Sequence, residues 1–262
     1  MGADAASPSP SPPPELPPGL LEDYLVNTRA QLVVLADLAD RLAAAGNDRE
    51  ALDALRRETH KLHGSAGSYG FWDASRLAAG MEETVKDWAA RPEDRDVERG
   101  ALARWFVVRL AATMKLDVPD ARRARRDSGP KPPAEPVRVP EVVLVEDDPA
   151  LADLLEYGLR SRGYRFAAFR NGREALDRLL ALETEGAHPL LLLDVDLPAL
   201  DGYSIFAALQ RERPGVFRVV FTTVHGDESE QLRGLEAGAL DYLVKPISLR
   251  VALEKIRRWV GR

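Results

Sequence analysis

The chain has 262 residues, 45% of them hydrophobic, and a net charge of −6, enough for two ordinary domains with packed cores. It has no cysteine, which excludes disulfides, thiolate-held zinc, iron–sulfur clusters and thiol nucleophiles, and fits a reducing cytoplasm. The acidic balance argues against nucleic acid as the main partner, and no apolar run reaches the ~20 residues of a membrane span.

Residues 1–18 are rich in proline and have no basic region followed by an apolar stretch. They read as a disordered tail, not a secretory signal. Residues 19–118 show helix period and no strand pattern. Leu20, Leu21, Tyr24, Leu25, Thr28, Leu32, Leu35, Leu38, Ala39 and Leu42 recur at steps of three and four. Gly46-Asn47-Asp48 interrupts the pattern, and Asp48 is placed to cap a second helix through Ala51, Leu52, Leu55, Thr59, Leu62 and Ala66. A third stripe runs through Leu77, Ala78, Met81, Val85 and Trp88, and a fourth, on an imperfect face, through Leu102, Trp105, Phe106, Val108, Arg109 and Leu110. Amphipathic helices joined by short loops predict an all-α antiparallel four-helix bundle. Residues 119–140 form a basic, proline-rich linker in which Pro119, Pro130, Pro132, Pro133 and Pro136 forbid regular structure. Its Arg122, Arg123, Arg125 and Arg126 could meet an acidic partner, although a solvated linker is the simpler reading.

Residues 141–262 alternate short apolar runs with helical patterns. Strands are expected at 141–146, 164–169, 190–194, 217–222 and 240–244. Helices are expected at 149–161, 172–185, 201–212, 227–237 and 247–260. Asn171 to Glu174 reads as a capping box. Five βα units in a row predict a doubly wound parallel sheet, with any site beyond the carboxyl ends of its strands. Pattern alone leaves the strand order open.

That rule brings together Glu146-Asp147-Asp148, Asp194, Thr222-Thr223 and Lys245-Pro246. The set suits phosphoryl transfer. Asp194 is a competent nucleophile that forms an acyl phosphate without a general base. Glu146 and Asp147 supply carboxylates for Mg²⁺, Lys245 supplies positive charge where the transferring oxygens are negative, and the Thr223 hydroxyl can hydrogen-bond the attached group. Exposed acidic loop residues are common, but their coincidence at four strand ends is not.

The runs VVLVEDDP, LLLDVDLPALDGYSI, VVFTTVHGDE and GLEAGALDYLVKPI together resemble a response-regulator receiver domain over essentially all of residues 141–262. The resemblance implies a flavodoxin-like fold with strand order 2-1-3-4-5. It implies Asp194 as phosphoacceptor, Glu146 and Asp147 as the acidic metal pair, the Asp196 carbonyl as a further metal ligand, and Lys245 as the phosphate-contacting lysine. Thr223 and Tyr242 would be the switch hydroxyl and aromatic, and Lys245-Pro246 a cis bond. Val224 stands where the family usually has a very small residue, which predicts slower attack by water. Leu197 stands where Met is common.

In the bundle, Arg57-Glu-Thr-His60-Lys-Leu-His63-Gly64-Ser-Ala-Gly67 places His60 toward solvent, away from the face of Leu55, Leu62 and Ala66. Gly64 and Gly67 leave room on that side for another domain, although each weakens the helix by roughly 1 kcal/mol. A neutral imidazole can carry a phosphoryl group as a phosphoramidate. HKLHGSAGSYGF resembles the signature of histidine-phosphotransfer (HPt) domains over about residues 20–117, which implies His60 as phosphoacceptor, with His63 where lysine is common. Zinc held by His60 and His63 is disfavoured without cysteine or an HExxH pattern. His188 reads as structural, and His225 receives no role.

The expected function is a cytoplasmic, Mg²⁺-dependent phosphorelay protein of the two-component type. It carries phosphoryl groups on His60 and Asp194 and exchanges them with a sensor histidine kinase or with other receiver or HPt proteins. It has no kinase catalytic domain, and the chain ends at Arg262 without an output domain, so output is by protein–protein contact. The competing expectations are a phosphorylation-controlled binding module, in which only Asp194 is modified and the bundle is a docking scaffold, and a phosphate sink.

Overall fold

The computed structural model describes residues 17–92, 98–117, 139–224 and 228–261. Most of the expected tail and linker, and His225, lie outside the described residues.

The first half contains α1 (Leu20–Ala44), α2 (Arg49–Ala66), a 3-10 turn (Gly67–Tyr69), α3 (Trp72–Ala90) and α4 (Arg99–Thr113). Asp48 caps α2 by accepting from the Ala51 N–H at 3.0 Å, as its place before an apolar stripe requires. Helix α1 packs on α2 and α4, and α3 packs on the same two, so the four close around a core of leucines with Met81, Trp88 and Phe106.

The fourth stripe differs from expectation. The bundle-facing residues of α4 are Leu102, Ala103, Phe106, Val107 and Leu110, whereas Trp105, Val108 and Arg109 are only partly buried. The imperfect period has a physical cause: the Trp105 ring packs, tilted, 5.1 Å from that of Tyr157 of the second half, and Arg109 pairs with Asp153. Two covered faces were superposed in one pattern.

The second half runs β1 (Val142–Val145), α5 (Pro149–Ser161), β2 (Phe166–Phe169), α6 (Gly172–Ala181), β3 (Leu190–Asp194), α7 (Gly202–Glu212), β4 (Arg218–Thr223), α8 (Glu228–Glu236), β5 (Asp241–Val244) and α9 (Leu249–Val260). All strand pairs are parallel, and the order is β2-β1-β3-β4-β5. Leu190–Leu193 and Val142–Val145 are fully buried, as expected for central strands covered on both faces. Strands β1, β2 and β5 are shorter than expected by one or two residues at an end, β3 has its expected bounds, and β4 starts one residue late and runs on to Thr223. Helix α6 stops at Ala181, short of 185, because the carbonyls of Leu179 and Leu182 are taken by Arg213.

Candidate phosphoacceptor sites

The register sets the first site. Asp194 is the last residue of β3 and lies opposite Thr222 of β4, while Thr223 lies opposite Val244 of β5. Lys245 follows directly, with Lys245-Pro246 cis, and its N–H donates to the Thr223 carbonyl at 2.8 Å. Glu146 follows β1. The chain must turn tightly after β3: a Cβ at Gly202 would overlap the Asp194 carbonyl, so only glycine lets α7 begin this close to the site.

The side chains converge. The Lys245 ammonium lies 2.7 Å from Glu146 Oε1 and 2.9 Å from Asp194 Oδ2. Thr222 donates its hydroxyl to Glu146 Oε2 at 3.2 Å, and the Asp196 N–H lies 3.3 Å from Asp194 Oδ1. Glu146 is fully buried and Asp194 nearly so, at 2% exposure, whereas Asp147 is exposed. Burial pushes the Glu146 carboxyl above the usual carboxylate range, against the pull of Lys245 and with the neighbouring Asp194 adding to the rise. Asp147, although its residue surface is exposed, is also raised, by partial desolvation of its carboxyl and with help from Asp194. Although burial disfavours its charge, Lys245 is held above the usual lysine value by Glu146 and Asp194.

Glu146, Asp147 and Asp194 each bring a carboxylate oxygen within 4.8 Å of the others. This hard, all-oxygen set with surplus negative charge fits a small divalent cation such as Mg²⁺. The Glu146 oxygens are contacted by Lys245 and Thr222, whereas Asp147 is the solvent-exposed carboxylate of the set.

Thr223 is buried beside Asp194's strand end, and Val224 is 57% exposed at the rim. Tyr242 is turned inward, its ring tilted against Phe221 at 5.3 Å and its hydroxyl 3.4 Å from that of Tyr203. A Cβ at Gly234 of α8 would overlap that hydroxyl. Tyr203 and Gly234 were not singled out from the sequence. Their signal lies in the fold, which brings α7 and α8 over the end of β5.

The second cluster sits on the bundle. His60 and His63, one turn apart on α2, place their Nδ1 atoms 3.1 Å from the two oxygens of Glu82 on α3. Lys86 lies 3.0 Å from the same carboxylate. The His60 side chain is 73% exposed, whereas that of Glu82 is 7% exposed. Despite burial, hydrogen bonds from Lys86, His63 and His60 hold Glu82 well below the usual carboxylate range, at about 2. With Nδ1 turned to Glu82, the Nε2 edge of the His60 ring is the one left to solvent.

Of the two small residues expected beside His60, Gly64 meets nothing within 4 Å, whereas a Cβ at Gly67 would come within 2.9 Å of the Trp72 ring. Gly64 is thus open, and Gly67 is spent on packing within the bundle. Glu82 and Lys86 were missed in the sequence. Their only signal was an acidic residue next to Met81 of the apolar stripe with a lysine four residues on.

Comparison with known proteins assigns both halves. A family model described as "Response regulator receiver domain" matches residues 142–257, and one described as "Hpt domain" matches residues 19–116. Similar curated proteins include the transcriptional regulatory protein PcoR of Escherichia coli, 36% identical over 121 residues, which are 46% of this chain and 51% of that one. The phosphate regulon transcriptional regulatory protein PhoB of Rhizobium meliloti is 36% identical over 126 residues, 47% of this chain and 53% of that one. The chain therefore spans about half the length of the curated relatives it matches. Among solved structures, the magnesium-bound receiver domain of sensor histidine kinase PA1611 from Pseudomonas aeruginosa is 30% identical, with a TM-score of 0.40 over 47% of this chain and 99% of that one. The chain belongs to the two-component signalling families, as an Hpt domain followed by a response regulator receiver domain.

Proposed function

We propose that the protein is a phosphorelay component that carries phosphoryl groups on Asp194 and on His60 and passes them by protein–protein contact. One observation carries the reading: a buried nucleophilic carboxylate, Asp194, contacts a lysine ammonium and belongs to a three-carboxylate cluster. An exposed imidazole on the adjoining bundle is oriented by a buried glutamate.

At the receiver, an Asp194 oxygen attacks the phosphorus of an incoming phosphohistidine. The oxygen–phosphorus bond forms as the nitrogen–phosphorus bond breaks, and the freed imidazole nitrogen takes up a proton. Lys245 holds positive charge beside the reacting carboxylate, and Thr223 offers its hydroxyl to the attached group. Asp147, Asp194, Glu146 and the Asp196 carbonyl would hold Mg²⁺, which supplies the charge that offsets the phosphoryl oxygens. At the bundle, His60 Nε2 bonds to the phosphorus of an aspartyl phosphate as its oxygen–phosphorus bond breaks and the aspartate carboxylate leaves, while Glu82 keeps the Nδ1 proton in place. His63 and Gly64 border the approach, and Lys86 stands beside Glu82 where the usual lysine of the motif is replaced by His63. The protein makes no phosphohistidine from ATP in this reading, and the receiver catalyses its own phosphorylation. Among the described residues no helix is long and apolar enough to cross a membrane, and we place the reaction in the cytoplasm, with a sensor histidine kinase or other receiver and Hpt proteins as partners.

The test is label transfer. Full chain incubated with a labelled small acyl phosphate and Mg²⁺ should acquire label that Asp194→Asn abolishes. From a phosphorylated partner, an acid-labile, base-stable label should persist in Asp194→Asn and vanish in His60→Gln. Label that is indifferent to both substitutions would refute the assignment.

A further inference from the structure

The two halves are docked, and one helix does most of the docking. Arg76, Gly80, Thr84 and Asp87 form a single stripe on α3, spaced by three or four residues. Each meets the receiver. Arg76 Nε lies 2.5 Å from Asp148 Oδ2, next to the acidic pair. A Cβ at Gly80 would lie 3.1 Å from Leu154 of α5 and 3.9 Å from the Ile247 carbonyl. The Thr84 hydroxyl accepts from the Leu249 N–H at 3.1 Å, satisfying one of the free N–H groups at the start of α9. Asp87 pairs with Arg250, whose Nη2 lies 3.2 Å from Asp87 Oδ1, and both side chains are largely buried, 16% and 8% exposed. The interface is thus built from specific polar partners around a close backbone approach. A continuous apolar core joins Leu77 and Met81 with Leu154, Ile247 and Leu249.

The same helix fixes where His60 points. At about 100° per residue, Glu82 lies roughly 155° around α3 from the centre of the docking stripe. His60 is bonded to Glu82 and exposed, so α3 stands between its imidazole and the receiver of the same chain.

Resting on the phosphoacceptor reading of His60, we propose that docking through α3 keeps His60 from Asp194 of its own chain. His60 then exchanges its phosphoryl group with a receiver domain on another polypeptide, a second copy of this chain included. In that step His60 Nε2 bonds to phosphorus as the oxygen–phosphorus bond of the other chain's aspartyl phosphate breaks and its carboxylate leaves. The docked face of α3 takes no part, so its own receiver can stay in place while a second one visits.

The test uses the full chain, loaded at Asp194 from a labelled small acyl phosphate with Mg²⁺, following acid-labile label on His60. An intermolecular step slows with dilution and an intramolecular one does not, so the rate per molecule should fall about tenfold on tenfold dilution. Loaded His60→Gln chains should also label Asp194→Asn chains. Dilution-independent labelling of the wild type would overturn the proposal. Asp87→Lys sets two cations against each other across the interface, and Gly80→Leu wedges it apart, both on the surface of α3 that faces away from the bundle core. Either variant should gain a dilution-independent component; if neither does, docking is not what separates the sites and the proposal fails. No label on His60 in any arm, the opened variants included, removes the phosphoacceptor reading itself, a different result from fast labelling within one chain.

Discussion

Gly234→Ala tests whether the inward seat of Tyr242 is built by the absence of a side chain on α8. The added methyl would overlap the Tyr242 hydroxyl and lie 2.9 Å from its Cζ. Tyr242 is only 5% exposed and is wedged against Phe221, so the ring cannot slide without repacking. Overpacking of this kind costs about 1–3 kcal/mol, while alanine for glycine within a helix returns up to about 1 kcal/mol. The net expectation is destabilisation by about 0–2 kcal/mol, small because the two effects oppose. Tyr242→Phe removes the overlapping oxygen, which is the worst of the overlap, and leaves a ring carbon at 2.9 Å that must still shift. The double variant should therefore be more stable than the sum of the singles predicts, with a coupling of at least about 1 kcal/mol. Urea unfolding of the four proteins measures it. Additivity within about 0.3–0.5 kcal/mol would show that Tyr242 does not use the space at Gly234.

Glu82→Gln should flatten the acid sensitivity of the bundle. Its carboxyl is held near 2 against an ordinary 4.5, so its stabilising effect is complete above about pH 4.5 and lost as pH falls toward about 2, at most about 3 kcal/mol; unfolding at pH 7 and pH 3 compares the two proteins. Mg²⁺ at about 100 times its dissociation constant should stabilise the receiver by about 2.7 kcal/mol, and Asp147→Asn should lose most of that in thermal unfolding. Val224→Ala should shorten the lifetime of the Asp194 acyl phosphate, read as loss of label after the donor is removed; an unchanged lifetime would mean that Val224 does not border the path of water. Asp87→Ala leaves Arg250 buried without its partner carboxylate and should cost about 3–5 kcal/mol, measured by chemical denaturation, where a change under about 1 kcal/mol would mean the pair is open in solution.

The receiver was the more legible half because its chemistry lies at strand ends. Strand period, the rule for sites in open parallel sheets and the residue types together point to Glu146, Asp147, Asp194 and Lys245 before any contact is known. Parallel pairing then leaves little freedom: once β3 lies between β1 and β4, Asp194 must come within reach of Glu146 and Thr222. The bundle site was less legible, since helix period reports which face is buried but not which residue of a neighbouring helix meets it. His60 could be placed toward solvent from α2 alone. Glu82, 22 residues away, acquires its role only when α2 and α3 pack side by side. The inward Tyr242 likewise depends on Gly234, whose smallness has no meaning until α8 crosses β5.

The docking of the two halves left its trace as a defect in the pattern. A bundle helix that faces only its own bundle buries one stripe, yet α3 buries Leu77, Ala78, Met81 and Val85 together with Gly80 and Thr84. The first group faces the bundle, and the second lies on a different arc. The extra residues are small or hydroxylic, so they add little to a hydrophobic stripe and were passed over in a search for large apolar side chains. They are what a close helix approach requires. Gly80 lets the receiver's Leu154 and Ile247 reach the backbone, and Thr84 satisfies the Leu249 N–H that the approach would otherwise bury unpaired. Charged residues close both ends of the stripe, Arg76 on Asp148 and Asp87 on Arg250, and these fix its register as apolar contacts alone would not. Small residues flanked by opposite charges at helical spacing, next to an ordinary core stripe, are therefore the readable sign that a bundle helix serves two domains. In α4 the same cause produced the other symptom, a stripe that ran through Trp105 and Arg109 because the receiver, not the bundle, was their partner.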